Sequence, residues 1–349
     1  YDPDNADYRV TLAQLYNYST EYLDLERARE QYLAAVRLNP YRASHWLELS
    51  KFYEQEGDVE GAREAMTKGL EMDPNYAQTH WSAANLYIRL GELSDADFEL
   101  RKTADLDVIY LTQVLDLVWR FYEDPEMIVA THVPNTKAAN LLALGYFIGR
   151  DSELGARLSW DRLQTFNTEP QERFGYVNYL VNKGQAHDAH KVFSGGDQIA
   201  EVFNGGFESS PMNGGFDWRY SSTEHAEARR DTTQSKEGFA SFLIQFDGEE
   251  NVNYSHVWQW LPTQQGADYE LTFWMRTEAI STDEGVFVEV DGQRTEAPLG
   301  TTFWQELAVP FTASSDLVTV RVRRTPSQKF DNLLGGKVWL DEFQLAQVP

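Results

Sequence analysis

Pro40 and Pro74 stand 34 residues apart, and the stretch between them has a repeating internal order. Trp46, Leu49 and Tyr53 recur at helical spacing, which places them on one face of a helix. Gly57 interrupts that helix, and Ala62, Met66 and Gly69 mark the face of a second one. Small residues let two antiparallel helices approach, while the larger ones fill the space between them. This period constrains the fold strongly. One helix pair cannot bury its own apolar face, so successive pairs must stack into a solenoid.

The pattern of Trp/Leu/Tyr on the first helix, Gly at the turn, small and aromatic residues on the second and a closing Pro resembles the tetratricopeptide repeat. The match is most specific over 43–76. The unit 77–110 keeps Ala84, Tyr87, Gly91, Ala96, Leu100 and Ala104 in the same places. The unit 3–40 carries Leu12, Tyr16, Ala28, Tyr32 and Ala35 but is three residues longer, with its irregular turn around Tyr22 to Leu25. Over 111–196 the period blurs into degenerate helix pairs, the first with a short second member. The expected helical-repeat domain is therefore 1–196. Trp46, Tyr53, Tyr87 and Trp160 fall at core positions of the repeat. A concave groove in such a solenoid would be lined between those positions by His45, Glu48, Phe52, Gln78, Ser82 and Asn85. These are mixed and polar rather than a Lys/Arg clamp for a peptide carboxylate, so they imply a protein partner without naming it.

From Glu201 onward the apolar period changes from 3.6 to 2. Tyr269, Leu271, Phe273 and Met275 alternate with polar neighbours, as do Val286, Val288 and Val290, followed by an Asp291-Gly292 hairpin signal. Short alternating strands over 201–349 predict an antiparallel sandwich. The fold class is thus multidomain α + β: a helical solenoid followed by a β-sandwich. At the junction Asn-Gly-Gly-Phe occurs twice, at 204–207 and 213–216. The first copy is expected to open strand one, and the second to form the loop leading to Trp218.

The order of pieces resembles carbohydrate-binding modules with a galactose-binding-like jelly roll. These pieces are an opening NGGFE, an early Gly-Phe-Asp-Trp, then SKEGFASFLIQF, QQGADYELTFWMR, FWQELAVPFTAS and a closing KVWLDEFQL. The resemblance implies a structural calcium, held by Glu208 and Asp341 with backbone carbonyls of Lys236 and Gly238. Calcium takes several hard oxygens, which this set supplies. It also implies a glycan ligand. Flat aromatic faces suit the apolar side of a pyranose, and Trp218, Tyr220, Trp258 and Trp274, with Gln259 and Arg276 as polar partners, are the candidate ligand residues. His256, Trp258 and Trp260 alternate with Val257, Gln259 and Leu261, so the two sets should lie on opposite faces of one strand.

With 55 acidic and 30 basic residues the formal charge is -25, which repels nucleic-acid phosphates and anionic membrane surfaces. Without cysteine there is no disulfide and no thiol nucleophile. No phosphate loop, His-Glu-x-x-His helix or Gly-x-Ser-x-Gly elbow occurs, and His187 and His190 lack an evident third metal ligand. The chain starts at Tyr1 rather than Met, which reads as a processed or trimmed fragment and leaves open the removal of any targeting or anchoring segment. These features point to a non-enzymatic, extracytoplasmic bacterial scaffold that joins a protein partner to a polysaccharide, in envelope or exopolysaccharide assembly or export. Two alternatives stand beside it: a sandwich that only caps the solenoid or binds protein, and an accessory fragment of a larger carbohydrate-active enzyme.

Overall fold

The computed structural model describes residues 4–195 and 202–348. They fall into two compact units, Tyr1–Asn167 and Thr168–Pro349. The domain boundary expected within 196–201, and Pro3 at the start of the first repeat, lie outside the described residues.

The first unit is built from helix pairs. They are α1 (Ala6–Tyr18) with α2 (Leu25–Leu38), α3 (Ala43–Gln55) with α4 (Val59–Met72), and α5 (Ala77–Leu90) with α6 (Leu93–Leu106). A 3-10 turn at Val108–Tyr110 leads to α7 (Leu111–Tyr122) and the short α8 (Pro125–His132), then α9 (Lys137–Gly149) and α10 (Glu153–Leu163). Short polar side chains set the starts. Asn5, Asp24, Asp58, Asp124, Thr136 and Ser152 each accept an N–H from the first turn of the helix that follows. The repeat's small residues are there for space. A β-carbon on Gly69 would lie 3.1 Å from Leu47 Cδ2, so the Leu47 side chain would have to give way to admit one between α3 and α4. Phe52, Tyr32, Leu49 and Ala28 pack together between the first two pairs, and Leu47, Met66, Leu86 and Tyr87 between the next two. Trp46 is half-buried, its Nε1 donating to the Pro40 carbonyl at 2.8 Å. No helix of the described residues is long and apolar enough to cross a membrane.

The second unit begins with one more helix pair, α11 (Pro170–Asn182) and α12 (Ala186–Ser194). The strands follow: β1 (Arg219–Tyr220), β2 (Ala226–Asp231), β3 (Ser241–Asp247), β4 (Tyr254–Pro262), β5 (Asp268–Ile280), β6 (Phe287–Val290), β7 (Gln293–Arg294), β8 (Gly300–Thr312), β9 (Leu317–Arg324) and β10 (Gly335–Gln347). They form two five-stranded antiparallel sheets. Sheet A has the order β1-β4-β9-β6-β7, and sheet B the order β2-β3-β10-β5-β8. Alternation supplies the core: Val257 and Leu261 of β4, Val318, Val320 and Val322 of β9, Leu271, Phe273 and Met275 of β5, and Val338 and Leu340 of β10 all face inward. The expected hairpin forms at Asp291-Gly292, both with positive φ (48° and 79°).

The two Asn-Gly-Gly-Phe copies are both loops, so the expectation that the first opens a strand is corrected. Asn204 and Phe207 have φ of 53° and 54°, which is incompatible with strand backbone. Gly205 abuts the carbonyl of Phe343 in β10, where no side chain would fit. Gly214 and Gly215 instead lie under the rings of Phe174 in α11 and Phe193 in α12. Phe207 and Phe216, the last residue of each copy, are both fully buried. The same local chemistry thus seats two loops against different partners: the last strand for one, the helix pair for the other. Phe193, Phe203, Phe216 and Trp260 form a continuous aromatic contact from α12 to sheet A, and the His187 ring nitrogen Nε2 is 3.0 Å from the Thr263 carbonyl.

Candidate functional site

In the first unit the residues expected to line a groove lie on α3 and α5, and two of them are buried instead. Phe52 is buried against Tyr32 with ring centroids 5.3 Å apart, and His45 is buried with Nε2 3.0 Å from Asp7 Oδ1. Both serve packing because they sit one helical step nearer the core than the pattern implied. Glu48 is half-buried, accepting from Gln14 at 2.9 Å and pairing with Lys51. Gln78 is exposed, and Ser82 and Asn85 donate to carbonyls of their own helix. Ser82 and Asn85 line a surface pocket of about 160 Å³ with Lys51, Glu54, Trp81 and Arg89. Arg89 and Glu54 tie α5 to α3 across it with two hydrogen bonds.

The six candidate ligand residues of the sandwich do not form one site. Trp218 is fully buried, edge-on to Phe343 at 4.8 Å, with its indole N–H donating to the Asn204 carbonyl. It is a core residue, because the loop before it folds it inward. Gln259 points inward on β4 and is fully buried, donating to the Phe203 carbonyl at 2.7 Å. Tyr220 packs against the core, edge-on to Phe242. Trp218 and Gln259 are thus out of reach of a ligand, whereas Tyr220 keeps part of its surface exposed. The other three divide between opposite surfaces, because β4 and β5 belong to different sheets. Trp258 lies on the outer face of sheet A, whereas Trp274 and Arg276 lie on the outer face of sheet B. There the Lys236 ammonium sits 4.2 Å from the Trp274 ring, and Arg276 donates to Gln234 and stacks over Trp339 at 5.3 Å.

The outer face of sheet A holds a residue that the sequence reading passed over. Arg219 of β1 lies directly opposite Trp258 of β4, and its guanidinium spans Trp258 at 4.4 Å and Trp260 at 4.1 Å. Burial pushes its pKa down to about 10. Among the described residues its Nη1 is buried with no hydrogen-bond partner. The helix pair covers the Trp260 end through Phe216, while Trp258 stays partly exposed. The signal for Arg219 was its place beside a buried aromatic in a two-residue strand, too short to register as a period.

Of the residues expected around calcium, Glu208 and Asp341 both meet the 236–240 segment, through its N–H groups and not its carbonyls. Glu208 accepts from the backbone N–H of Phe239 at 2.8 Å and of Ala240 at 3.3 Å. Asp341 accepts from those of Lys236 at 2.7 Å and Glu237 at 3.4 Å. One loop, 236–240, thereby grips both carboxylates. Asp341 is fully buried, and desolvation pushes its pKa up to about 6. The neighbouring Glu342 is also raised, by burial and by the charges of Glu237 and Glu208. A β-carbon on Gly206 would lie 2.7 Å from Glu342 Oε1, so a larger residue there would push the Glu342 carboxylate aside. A separate cluster capable of holding a metal is formed by His225, Asp247 and Glu249, with the His225 ring 2.9 Å from Asp247. His187 and His190 do not share a ligand position: His190 is buried edge-on to Phe216 while His187 faces Thr263.

Comparison with known proteins matches residues 43–76 to the tetratricopeptide repeat model. No curated relative matches the chain. Among solved structures, Pseudomonas aeruginosa pilF is 16% identical over 54% of this chain and 88% of its own, with a TM-score of 0.31. The CBM22-1 xylan-binding domain from Paenibacillus barcinonensis Xyn10C is 14% identical over 43% of this chain and 97% of its own, with a TM-score of 0.30. TmCBM61, solved with beta-1,4-galactotriose, is 15% identical over 43% of this chain and all of its own, with a TM-score of 0.31. The chain combines a helical-repeat region resembling tetratricopeptide repeats with a two-sheet antiparallel sandwich.

Proposed function

We propose that the chain is a non-catalytic adaptor that binds a protein through its helical repeats and a glycan through its sandwich. The observation that carries the glycan half is Trp258, a partly exposed indole in the middle of an outer sheet face, braced by Arg219. The part of the ring that Arg219 leaves open offers an apolar surface for a pyranose, with guanidinium donors beside it for oxygen atoms. The protein half rests on the pocket between α3 and α5, whose rim is polar and whose floor includes Trp81 and Leu86. Glu208 and Asp341, with carbonyls of Lys236 and Gly238, would hold a structural calcium. That ion would clamp the start of the sandwich to its last strand rather than touch a ligand. The net charge of -25 disfavours nucleic acid and anionic membranes as partners of the chain as a whole. An extracytoplasmic bacterial setting, in envelope or exopolysaccharide assembly, is the cellular reading that joins these two halves.

The test is a glycan array probed with the whole chain, in calcium and in chelator, for wild type and Trp258→Ala. Binding to one glycan class that falls at least tenfold in the variant supports the reading, a loss of about 1.4 kcal/mol or more. No binding by the wild type in either condition overturns it. A second reading has its own support: the pair α11 and α12 belongs to the same compact unit as the sandwich and packs its aromatic residues on it. On that reading the sandwich stabilises the helical repeats and takes no sugar.

A further inference from the structure

The two sheets of the sandwich carry opposite charge. The strands of sheet B contain nine carboxylates against four basic residues. The strands of sheet A contain one carboxylate, Glu289, and five arginines. Only one of the five, Arg324, is turned inward and fully buried. The remaining four, Arg219, Arg294, Arg321 and Arg323, stand on the outer face in a chain whose net charge is -25.

Register places them around Trp258. Arg219 pairs with Trp258, Trp258 with Arg321, Arg321 with Glu289, and Glu289 with Arg294, so these five residues form one row across the sheet. Four strand spacings make that row about 19 Å long. Within it Arg323 from the next row neutralises Glu289, with both carboxylate oxygens at 2.8 and 2.9 Å. Arg294 stacks on Phe287. Among the described residues Arg219 and Arg321, on either side of the indole, have no ion pair, and Arg219 Nη1 has no hydrogen-bond partner, the Asp217 carboxylate acting on Arg219 only through its field. A half-buried guanidinium without an acceptor is costly unless something supplies one.

Resting on the glycan reading above, we infer that the outer face of sheet A selects an acidic polysaccharide, with uronate carboxylates docking on Arg219 and Arg321 beside Trp258. Guanidinium presents a planar fork of donors that matches a carboxylate two-to-two, which a neutral hydroxyl cannot do. The chain's overall negative charge does not oppose this at close range. Charges farther than about 8 Å are screened at physiological salt.

The experiment uses the whole chain and three probes: trigalacturonate, its methyl ester and neutral galactotriose, each titrated at low and physiological salt. Esterification removes the charge and keeps the ring, so it isolates the carboxylate. The expected result is at least tenfold tighter binding of the acid than of the ester, weakening as salt rises. Arg321→Gln, an exposed position whose thermal unfolding should match wild type, is expected to erase that preference. Equal affinity for acid and ester would overturn the inference and leave the glycan reading standing. Binding of none of the three, with array binding also absent, would overturn both.

Discussion

Phe193, next to the last residue of α12, lays its ring on the backbone of Gly215 so closely that no β-carbon fits between them. Gly215 also has φ of 59°. Gly215→Ala therefore combines backbone strain with overpacking and should destabilise the second unit by about 2–4 kcal/mol. Gly266→Ala, with φ of 81° but open space around it, should cost only about 1–2 kcal/mol. Urea unfolding followed by tryptophan fluorescence would rank the two, and equal costs would refute the packing argument.

The helical unit should respond to pH through His80. Its Nδ1 faces the buried Glu99 carboxylate and its Nε2 lies 2.9 Å from the Pro74 carbonyl, so both ring nitrogens meet acceptors and the imidazolium is favoured. Its pKa is raised, chiefly by the bond to Glu99. The stabilisation is fully present below the unfolded value near 6.5 and is lost as pH rises through the higher folded value. His132 acts oppositely, because burial lowers its pKa and folding weakens as pH falls below about 6.5. Urea midpoints at 222 nm from pH 5.5 to 8.5 should fall less steeply on the alkaline side in His80→Gln. An unchanged profile would show that the pair is not ionised.

Calcium should raise the melting temperature of the sandwich, and Asp341→Asn should remove the increment. At a hundred times the dissociation constant the gain is about 2.7 kcal/mol. Glu249→Gln, in the separate cluster with His225 and Asp247, should leave it intact. Loss of the increment in Glu249→Gln but not in Asp341→Asn would move the ion to the other cluster.

Arg324 is fully buried and donates to the carbonyls of Glu284 and Val252 and to the Asn251 side chain. Arg324→Met would strand these acceptors and should cost about 3 kcal/mol or more in denaturant unfolding. Arg324→Lys should recover little, because an ammonium lacks the fork geometry. Full recovery by lysine would mean that charge alone matters there.

Much of this architecture was legible from period alone. The 34-residue spacing placed α3 to α6, and alternation along 269–275 and 286–290 gave the buried faces of β5 and β6. Alternation also separated Trp258 from Gln259 correctly. It could not say that Trp258 and Trp274 belong to opposite sheets, because that depends on β4 pairing with β9 and β5 with β8 and β10. Pairing between distant segments leaves no local trace. Trp218 looked ligand-facing because a loop Trp and a core Trp have the same neighbours in sequence. The Glu208 and Asp341 pair came from a likeness of order, and the structure brings both to one loop. Arg219 and Arg321 carry no pattern until the register lines them up on either side of Trp258.

The last strand, β10, lies in the middle of sheet B, between β3 and β5. Lys236 and Asp341, joined there, are 105 residues apart in the chain. During synthesis the helix pairs of the first unit can assemble as they leave the ribosome, since each leans on its neighbour. The sandwich has no such option. Until residues near 347 are free, β3 and β5 hold open edges that invite pairing with other chains. Nascent chains of this protein would therefore carry a finished solenoid tethered to an unfinished, aggregation-prone half, which makes the sandwich the segment for which a holding chaperone matters most.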